Sequence, residues 1–325
     1  MTSSSPSHGL SPASIETIAG LTAGLVSTII VHPLDIIKTR LQVDTSAHPL
    51  LNSSRAVFHD ILRNEGPTRI AALYRGLIPN LVGNSAGWAL YFLWYREGQD
   101  VVRRLRGYTP NQQLTSLDYL SASAGAGMLS AVLTNPIWVI KTRMLSTSAS
   151  EAGAYPGMIS GLRTIIKTEG IRGLFHGMTP SLFGVSHGAL YFVAYEKLKL
   201  RRRQTKKDQP LSNADTLIAS SMSKVFAGVV TYPHQVVRAR LQTYNANAGT
   251  QVRRPGLVGL IKGIWHNEGV VGFYKGLFPN LLRVVPSTCV TFLVYENARW
   301  SLPRIFGSQD DVAALGVAGN RKGSL

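Results

Sequence analysis

Long apolar stretches alternate with shorter amphipathic ones along the whole chain. Six stretches of about 20 to 30 residues are each long enough to cross a bilayer as a helix. They are residues 14–41, 74–103, 114–144, 175–202, 212–242 and 274–301. None is a clean run of Leu and Val, because Asn84, His187 and Lys224 lie within them. Since polar and ionisable residues are costly in lipid, we expect these three to face a polar cavity or one another.

Shorter stretches with one apolar face separate the members of each pair of long ones. They are residues 55–64, 157–167 and 256–267. In the last of them, Leu257, Leu260, Ile261 and Ile264 follow helical spacing. Such segments are typical of helices that lie at a membrane surface. The pattern as a whole predicts an all-α membrane protein with six transmembrane helices.

One phrase occurs three times, about a hundred residues apart. Its copies are HPLDIIKTRLQ from His32, NPIWVIKTRML from Asn135 and YPHQVVRARLQ from Tyr232. Each is followed by a Glu-Gly pair, an aromatic-basic-Gly triplet, a proline and a second apolar stretch. This self-similarity indicates one structural unit made three times. We predict repeats at 14–110, 111–209 and 210–302, between a disordered N-terminus at 1–13 and a disordered tail at 303–325.

The proline of each phrase is expected to bend its helix, since proline removes a helical hydrogen bond. Equivalent bends at Pro33, Pro136 and Pro233 would bring three helix ends together around a pseudo-threefold axis. The residues two and five positions after each proline share one helix face. In the first repeat these are Asp35 and Lys38, an acid and a base. Ion pairs at such positions would close one end of a cavity and could break again, as a gate requires.

Composition narrows the class of protein. The net charge is +17, yet only 16% of residues are charged and 45% are hydrophobic. A soluble nucleic-acid-binding protein of this charge would carry more charged residues, so that alternative, which predicts extraction by salt without detergent, is disfavoured. The only cysteine, Cys289, rules out a disulfide within one chain. No phosphate-binding glycine motif, catalytic triad spacing or metal-ligand cluster is present, so we expect no enzyme activity, no metal and no cofactor.

The three copies share the proline and the cation of the motif P-x-[DE]-x-x-[KR], and the first copy also has the acid, so a chain with six predicted spans resembles the mitochondrial carrier family over residues 14–302. The resemblance implies a multi-pass transporter of the mitochondrial inner membrane that works by alternating access, with short amphipathic helices on the matrix side. It also implies a monomer with both termini towards the intermembrane space, in contact with membrane lipid such as cardiolipin. In such a carrier Asp35 would pair with Lys141 in a gate on the matrix side.

The chain departs from the family pattern at two acid positions. The second repeat has Trp138 and the third has Gln235. Lys38 would then meet Gln235 and Arg238 would face Trp138, which leaves uncompensated positive charge at the floor of the cavity. An alternative is that the two uncharged residues only seal the pore. By the resemblance, two further residues, Gln42 and Gln242, brace this gate.

At the opposite helix ends the family uses [FY]-[DE]-x-x-[RK] for a second, cytoplasmic-side gate. The second and third repeats match, and the first repeat breaks the pattern. The matching charged residues are Glu196, Lys199, Glu296 and Arg299. We expect one intact pair here, between Glu196 and Arg299.

The surplus of cations predicts an anionic substrate. Lys224 would project at cavity depth, and Arg283 falls in the substrate-contact region of the family. Aromatic residues could offer faces to a planar ring, although packing is their commoner role. The predicted substrate-binding residues are Lys224, Arg283, Trp88, Tyr91, Asn84 and His187.

The residues within these motifs resemble one branch of the family more than others. NPIWVIKTR, with Trp in the acid position, resembles carriers of folate, flavin, pyrimidine nucleotides and NAD. YPHQVVRARLQ and FGVSHGALYF look closest to the carriers of folate and FAD. The expected function is therefore transport of FAD or folate, as substrate and not as cofactor, with NAD or pyrimidine nucleotides as the alternative.

Overall fold

The structure, a computed structural model, describes residues 12–45, 50–64, 69–109, 112–147, 154–205, 212–243 and 256–306. Every regular element in these ranges is a helix. The chain divides into two compact units. One is a central unit, His32–Val284, and the other combines the terminal segments Met1–Val31 and Val285–Leu325.

The three predicted repeats contain the same order of elements: a long helix, a shorter one and a second long stretch. The first repeat has α1 Pro12–Val43, α2 Leu50–Asn64, α3 Arg69–Ala72 and α4 Leu77–Arg106. The second has α5 Ser116–Ser146, α6 Met158–Glu169, a 3₁₀ helix at Ile171–Phe175, α7 Met178–Phe183 and α8 Val185–Thr205. The third has α9 Asn213–Val230, α10 Tyr232–Thr243, α11 Leu257–Gly272, α12 Leu277–Leu282 and α13 Val284–Phe306.

Two predicted continuous spans in the third repeat are each two helices. The stretch 212–242 is interrupted at Thr231, between α9 and α10, and the stretch 274–301 at Arg283, between α12 and α13. Proline explains both breaks, because Pro233 and Pro286 have no N–H to donate to the carbonyl four residues earlier. The helices around Pro33 and Pro136, in contrast, continue through the proline.

The predicted span 175–202 is also divided, into α7 and α8, which meet at Gly184. No proline lies at this joint, and Gly184 itself has helical backbone angles. Glycine weakens a helix because it gains the most freedom on unfolding. The joint therefore lies at a residue of low helix propensity.

The termini differ from the prediction at their inner edges. Residues 12–13 begin α1 and residues 303–306 end α13, so both are helical where the sequence predicts disorder. The rest of the predicted disordered segments, 1–11 and 307–325, lies outside the described residues.

Three described segments are long and apolar enough to cross a membrane: Ser14–Val43, Ser116–Ser146 and Leu277–Leu302. A shorter apolar helix covers Ile218–Val230. The remaining predicted spans are helical in the described ranges but do not reach the same apolarity. Charged runs explain part of this difference, since α4 and α8 both have several arginines in their last turns.

The predicted amphipathic segments are helices of the central unit, and each has one buried isoleucine on its apolar face. Ile61 of α2 and Ile165 of α6 are completely buried, and Ile264 of α11 is nearly so. Ile61 belongs to a cluster with Ile36 and Leu41 of α1. Burial of one such side chain contributes about 1.5–3 kcal/mol.

Within the central unit, the residue before each proline forms a hydrogen bond to another part of its own repeat. His32, Asn135 and Tyr232 are completely buried. Each side chain bonds to a main-chain carbonyl oxygen just before the next long stretch. The pairs are His32 with Arg75 at 2.9 Å, Asn135 with Leu174 at 2.8 Å and Tyr232 with Lys275 at 3.0 Å. The helix that contains the proline is thereby held against the turn that precedes the second long stretch of its repeat.

That turn contains the glycine of the aromatic-basic-Gly triplet. Gly76, Gly177 and Gly276 have φ angles of 72°, 70° and 80°, which other residues rarely adopt. Each glycine also packs closely on another helix. A Cβ atom on Gly276 would lie 2.8 Å from the Lys38 carbonyl oxygen and 2.9 Å from the Tyr232 hydroxyl. The third repeat is therefore packed tightly onto the helix of the first.

In the unit formed by the terminal segments, polar contacts join α1 to α13. The Ser27 hydroxyl lies 3.0 Å from that of Ser287 and bonds to its carbonyl oxygen at 3.2 Å. Ala19 and Ala23 of α1 are buried in this unit. Small residues allow close approach of helices in a membrane.

Candidate functional site

A cavity of about 370 Å³ lies in the central unit, and the predicted gate residues form its floor. It is lined from α1, α4, α5, α8 and α10, by Gly184 between α7 and α8, and by Arg283 between α12 and α13. The predicted site residues among its lining are Asp35, Lys38, Gln42, Asn84, Trp138, Lys141, His187, Gln235, Arg238, Gln242 and Arg283.

Three unlike contacts join the three helices around this floor. Between α1 and α5, Asp35 and Lys141 form an ion pair at 3.9 Å. Between α10 and α1, the Lys38 ammonium group donates to the Gln235 side-chain oxygen at 3.0 Å.

The third contact, between α5 and α10, is a cation–π interaction. The guanidinium carbon of Arg238 lies 5.7 Å from the centroid of the Trp138 ring. Such contacts are worth about 0.5–2 kcal/mol, more when water is excluded. The structure thus brings together each pair of gate residues that the threefold pattern predicts, and their role in gating stays a prediction.

Asp35 has a second cationic partner, Arg283, which the sequence did not predict. Arg283 joins α12 to α13, and its guanidinium group pairs directly with the Asp35 carboxylate. The Asn80 amide also donates to this carboxylate at 3.4 Å. A buried carboxylate needs such compensation, because removal of a partner from a buried ion pair costs about 3–5 kcal/mol.

The described lining carries four basic side chains and one carboxylate. The cations are Lys38, Lys141, Arg238 and Arg283, and the carboxylate is Asp35. A cleft with one sign of charge and low-dielectric walls raises the local concentration of oppositely charged solutes. The cavity is therefore suited to an anion, as the sequence predicted.

The two glutamines predicted to brace the gate are buried against neighbouring helices. Gln42 donates to the Tyr232 hydroxyl at 3.2 Å, between α1 and α10. Gln242 accepts from the Thr142 hydroxyl at 2.7 Å, between α10 and α5. Gln42 lies one helical turn after Lys38 and Gln242 one turn after Arg238, on the same pairs of helices as those two gate contacts, in positions that would support them.

Two predicted substrate-binding residues lie at the cavity wall with partners of their own. His187 of α8 bonds at 2.9 Å to the hydroxyl of Thr231, the residue between α9 and α10. Asn84 donates to the side-chain oxygen of Asn80 at 3.3 Å.

Three other predicted residues are not among the described residues that line this cavity. Trp88 is 63% exposed and stacks on Phe92, one turn further along α4. The Tyr91 hydroxyl lies 2.9 Å from that of Ser123, which joins α4 to α5. Lys224 is exposed on α9. Their contact with substrate stays a prediction.

At the predicted cytoplasmic-side gate, each charged residue that forms an ion pair does so within its own unit. In the central unit, Lys199 pairs with Glu196 at 3.4 Å on the same helix. In the unit of terminal segments, Arg299 pairs with Glu16 at 3.0 Å. Glu296 is exposed. The pairing of Glu196 with Arg299 stays a prediction.

A second set of ion pairs, which the sequence did not predict, lies below the gate. The arginine seven residues after the proline pairs with the glutamate of the Glu-Gly motif. Arg143 binds Glu169 at 2.5 Å, and Arg240 forms the equivalent pair with Glu268. In the third repeat Lys275 joins the same carboxylate at 2.6 Å. The signal was present, because the same residue types recur at the same offsets, but nothing in the spacing says which residues meet.

These arginines also join each repeat to the next. Their Nε groups donate to the main-chain carbonyl oxygen nine residues after the proline of another repeat. Arg40 donates to Leu145 at 3.2 Å, Arg143 to Gln242 at 2.7 Å and Arg240 to Gln42 at 2.9 Å. The three contacts form a closed cycle, which ties the three helices together beneath the gate.

Glu268 lies outside the predicted spans, on α11. Burial favours its neutral form, but hydrogen bonds and charge from Arg240 and Lys275 prevail and lower the pKa of Glu268. The carboxylate is therefore ionised at neutral pH and holds both cations.

Comparison with known proteins assigns the family. The sequence profile described as mitochondrial carrier protein matches residues 11–105, 112–205 and 209–305. The chain belongs to the mitochondrial carrier family, and the predicted membership is confirmed. It is thus an all-α membrane protein built from three carrier repeats.

Several characterised relatives are similar over almost the whole chain. The mitochondrial FAD carrier protein FLX1 of Saccharomyces cerevisiae is 42% identical, over 91% of this chain and 99% of its own length. The chloroplastic folate transporter 1 of Arabidopsis thaliana is 39% identical, over 86% and 92%. The mitochondrial nicotinamide adenine dinucleotide transporter 2 of the same plant is 37% identical, over 86% and 77%.

Proposed function

We propose that this chain carries FAD across the mitochondrial inner membrane. The observation that carries the proposal is the cavity floor, where four cations and one carboxylate lie beside the ring of Trp138. FAD combines a pyrophosphate with planar rings, and both parts find matching groups there. Arginine can bind phosphate through two parallel hydrogen bonds, which suits Arg238 and Arg283 to the pyrophosphate.

The similarity to the FAD carrier of yeast supports this substrate over the two alternatives. That relative is 42% identical to the chain, compared with 39% for the folate transporter and 37% for the NAD transporter. Folate is the second candidate, since it too joins a planar ring system to anionic groups. NAD and pyrimidine nucleotides remain alternatives with the same chemistry.

Transport would follow from competition for the gate cations. In the arrangement described, Lys141 and Arg283 are held by Asp35, and Lys38 by Gln235. An anion that enters the cavity offers these cations a new partner. As the cations turn to the anion, the contacts between α1, α5 and α10 weaken, and the closed end can open.

The same proposal assigns the setting of the protein. We infer a monomer in the inner membrane, with both termini towards the intermembrane space and anionic lipid such as cardiolipin around it. We infer that it is neither an enzyme nor a nucleic-acid-binding protein, and that FAD is its cargo and not its cofactor.

Uptake of labelled FAD by isolated mitochondria tests the proposal. Mitochondria from cells with and without this chain should differ several-fold in initial FAD uptake at equal membrane potential. Uptake of labelled phosphate by the same organelles serves as the control and should be equal. Equal FAD uptake by both preparations would contradict the proposal.

A further inference from the structure

The ring of Trp138 lies among cations. The Lys141 ammonium nitrogen is 4.9 Å from its centroid and the Arg238 guanidinium carbon is 5.7 Å away. No ion pair of Arg238 is found in the part of the chain that the structure describes. The indole therefore stands where the first repeat has a carboxylate, and it attracts the cation through its ring face, more weakly than a carboxylate would.

The ring is also held in place. Its Nε1 group donates to the Thr134 hydroxyl at 3.2 Å, one turn earlier on α5. On the other side α4 approaches closely, since a Cβ atom on Gly83 would lie 3.4 Å from the indole. A ring fixed in this way offers a preformed surface to whatever occupies the cavity, because little side-chain freedom remains to be lost.

We propose that the Trp138 ring is an exchangeable gate contact, which binds the cation of Arg238 in the empty carrier and the planar ring of the substrate in the loaded one. The inference rests on the proposed function and adds the step that couples substrate shape to opening. The anionic groups of the solute draw Arg238 and Lys141 away, and its planar ring takes the surface that they leave.

The exchange selects for solutes with both features. A planar solute without charge cannot displace the cations from the indole. An anion without a ring withdraws the cations but leaves the indole face uncovered. A solute with both replaces the lost cation–π contacts by stacking, so that opening costs least for a planar anion.

The first part of the inference, the interaction between Trp138 and Arg238, can be tested without any solute. Thermal unfolding in detergent is compared for the wild type, Trp138→Leu, Arg238→Gln and the double variant. If the two side chains interact, the fall in melting temperature of the double variant is smaller than the sum of the single falls. Trp300→Leu is the matched control, because Trp300 forms a cation–π contact with Arg304 but is not a lining residue of the cavity. Additive effects of the Trp138 and Arg238 changes would overturn the inference.

The substrate half is measured as FAD uptake by proteoliposomes that contain equal amounts of folded protein. Trp138→Leu should lower uptake roughly tenfold, the order expected when one stacked ring is lost. Trp138→Phe retains a ring and should lose much less, and Trp300→Leu should match the wild type. Trp138→Asp restores an acid opposite Arg238, so it should raise the melting temperature of the empty carrier and still transport poorly.

The outcomes separate this inference from the proposed function. If the wild type transports FAD and Trp138→Leu does so at the same rate, the inference is wrong and the function stands. If Trp138→Leu does not fold, a Trp138→Phe variant that transports no better than Trp138→Asp overturns the inference equally. If the wild type transports no FAD while Trp138 and Arg238 are coupled, the proposed function is wrong and the exchange with a flavin ring falls with it.

Discussion

Single substitutions at repeated positions distinguish this chain from the pattern of its family. The residue two positions after the proline is Asp35 in the first repeat, Trp138 in the second and Gln235 in the third. Each retains a contact with a cation, through an ion pair, a cation–π contact and a hydrogen bond. Replacement of two carboxylates thus preserves the cycle of contacts and leaves the cavity strongly positive.

Arg283 is the residue whose change should affect transport most clearly. It is paired with Asp35 and is only partly buried, so a substrate anion can reach it. Arg283→Ala should lower FAD uptake by proteoliposomes more than tenfold, because a paired guanidinium contact with phosphate is lost. Arg283→Lys should be intermediate, since lysine keeps the charge but not the planar fork. Arg104→Ala, an exposed arginine at the end of α4, is the control, and uptake by Arg283→Ala at the wild-type rate would refute the role.

At the scale of elements, hydrophobic pattern located every long helix but not the interruptions within them. The breaks at Thr231 and Arg283 lie close to Pro233 and Pro286, but α1 and α5 continue through Pro33 and Pro136, so a proline alone does not predict where a helix is interrupted. The joint at Gly184 has no such signal. The amphipathic helices α2, α6 and α11 were predicted correctly, because each has a single apolar face that is buried through residues such as Ile61 and Ile165.

The turn before α12 provides a test of how tightly the repeats are packed. Gly276→Ala should lower the free energy of unfolding by about 1–3 kcal/mol or more, because φ is 80° and the new Cβ would lie 2.8 Å from the Lys38 carbonyl oxygen. The control is Gly263→Ala in α11, where no atom lies within 4 Å. That change should be neutral or slightly stabilising. Thermal unfolding of the purified variants measures both, and equal melting temperatures would contradict the packing described.

At the scale of the whole molecule, the threefold repeat predicted more of the fold and of the site contacts than composition did. The offsets from each proline identified the equivalent residues, and the resemblance to the carrier family then implied that Asp35 meets Lys141 and that Lys38 meets Gln235. Contacts that break the equivalence could not be predicted in this way. One such contact is the pair of Arg283 with Asp35. The corresponding joint between two helices of the second repeat has Gly184, which has no side chain to form an equivalent pair. Glu16 binds Arg299 although it belongs to no motif.

The central claim is that a positive cavity with an available indole face carries FAD. The most direct measurement is the uptake of four labelled solutes by one preparation of proteoliposomes: FAD, folate, NAD and riboflavin. Saturable uptake of FAD is expected to be fastest, with folate and NAD slower, and riboflavin close to the rate of protein-free liposomes because it lacks the anionic groups. Uptake of riboflavin as fast as that of FAD, or no uptake of FAD above protein-free liposomes, would contradict the account.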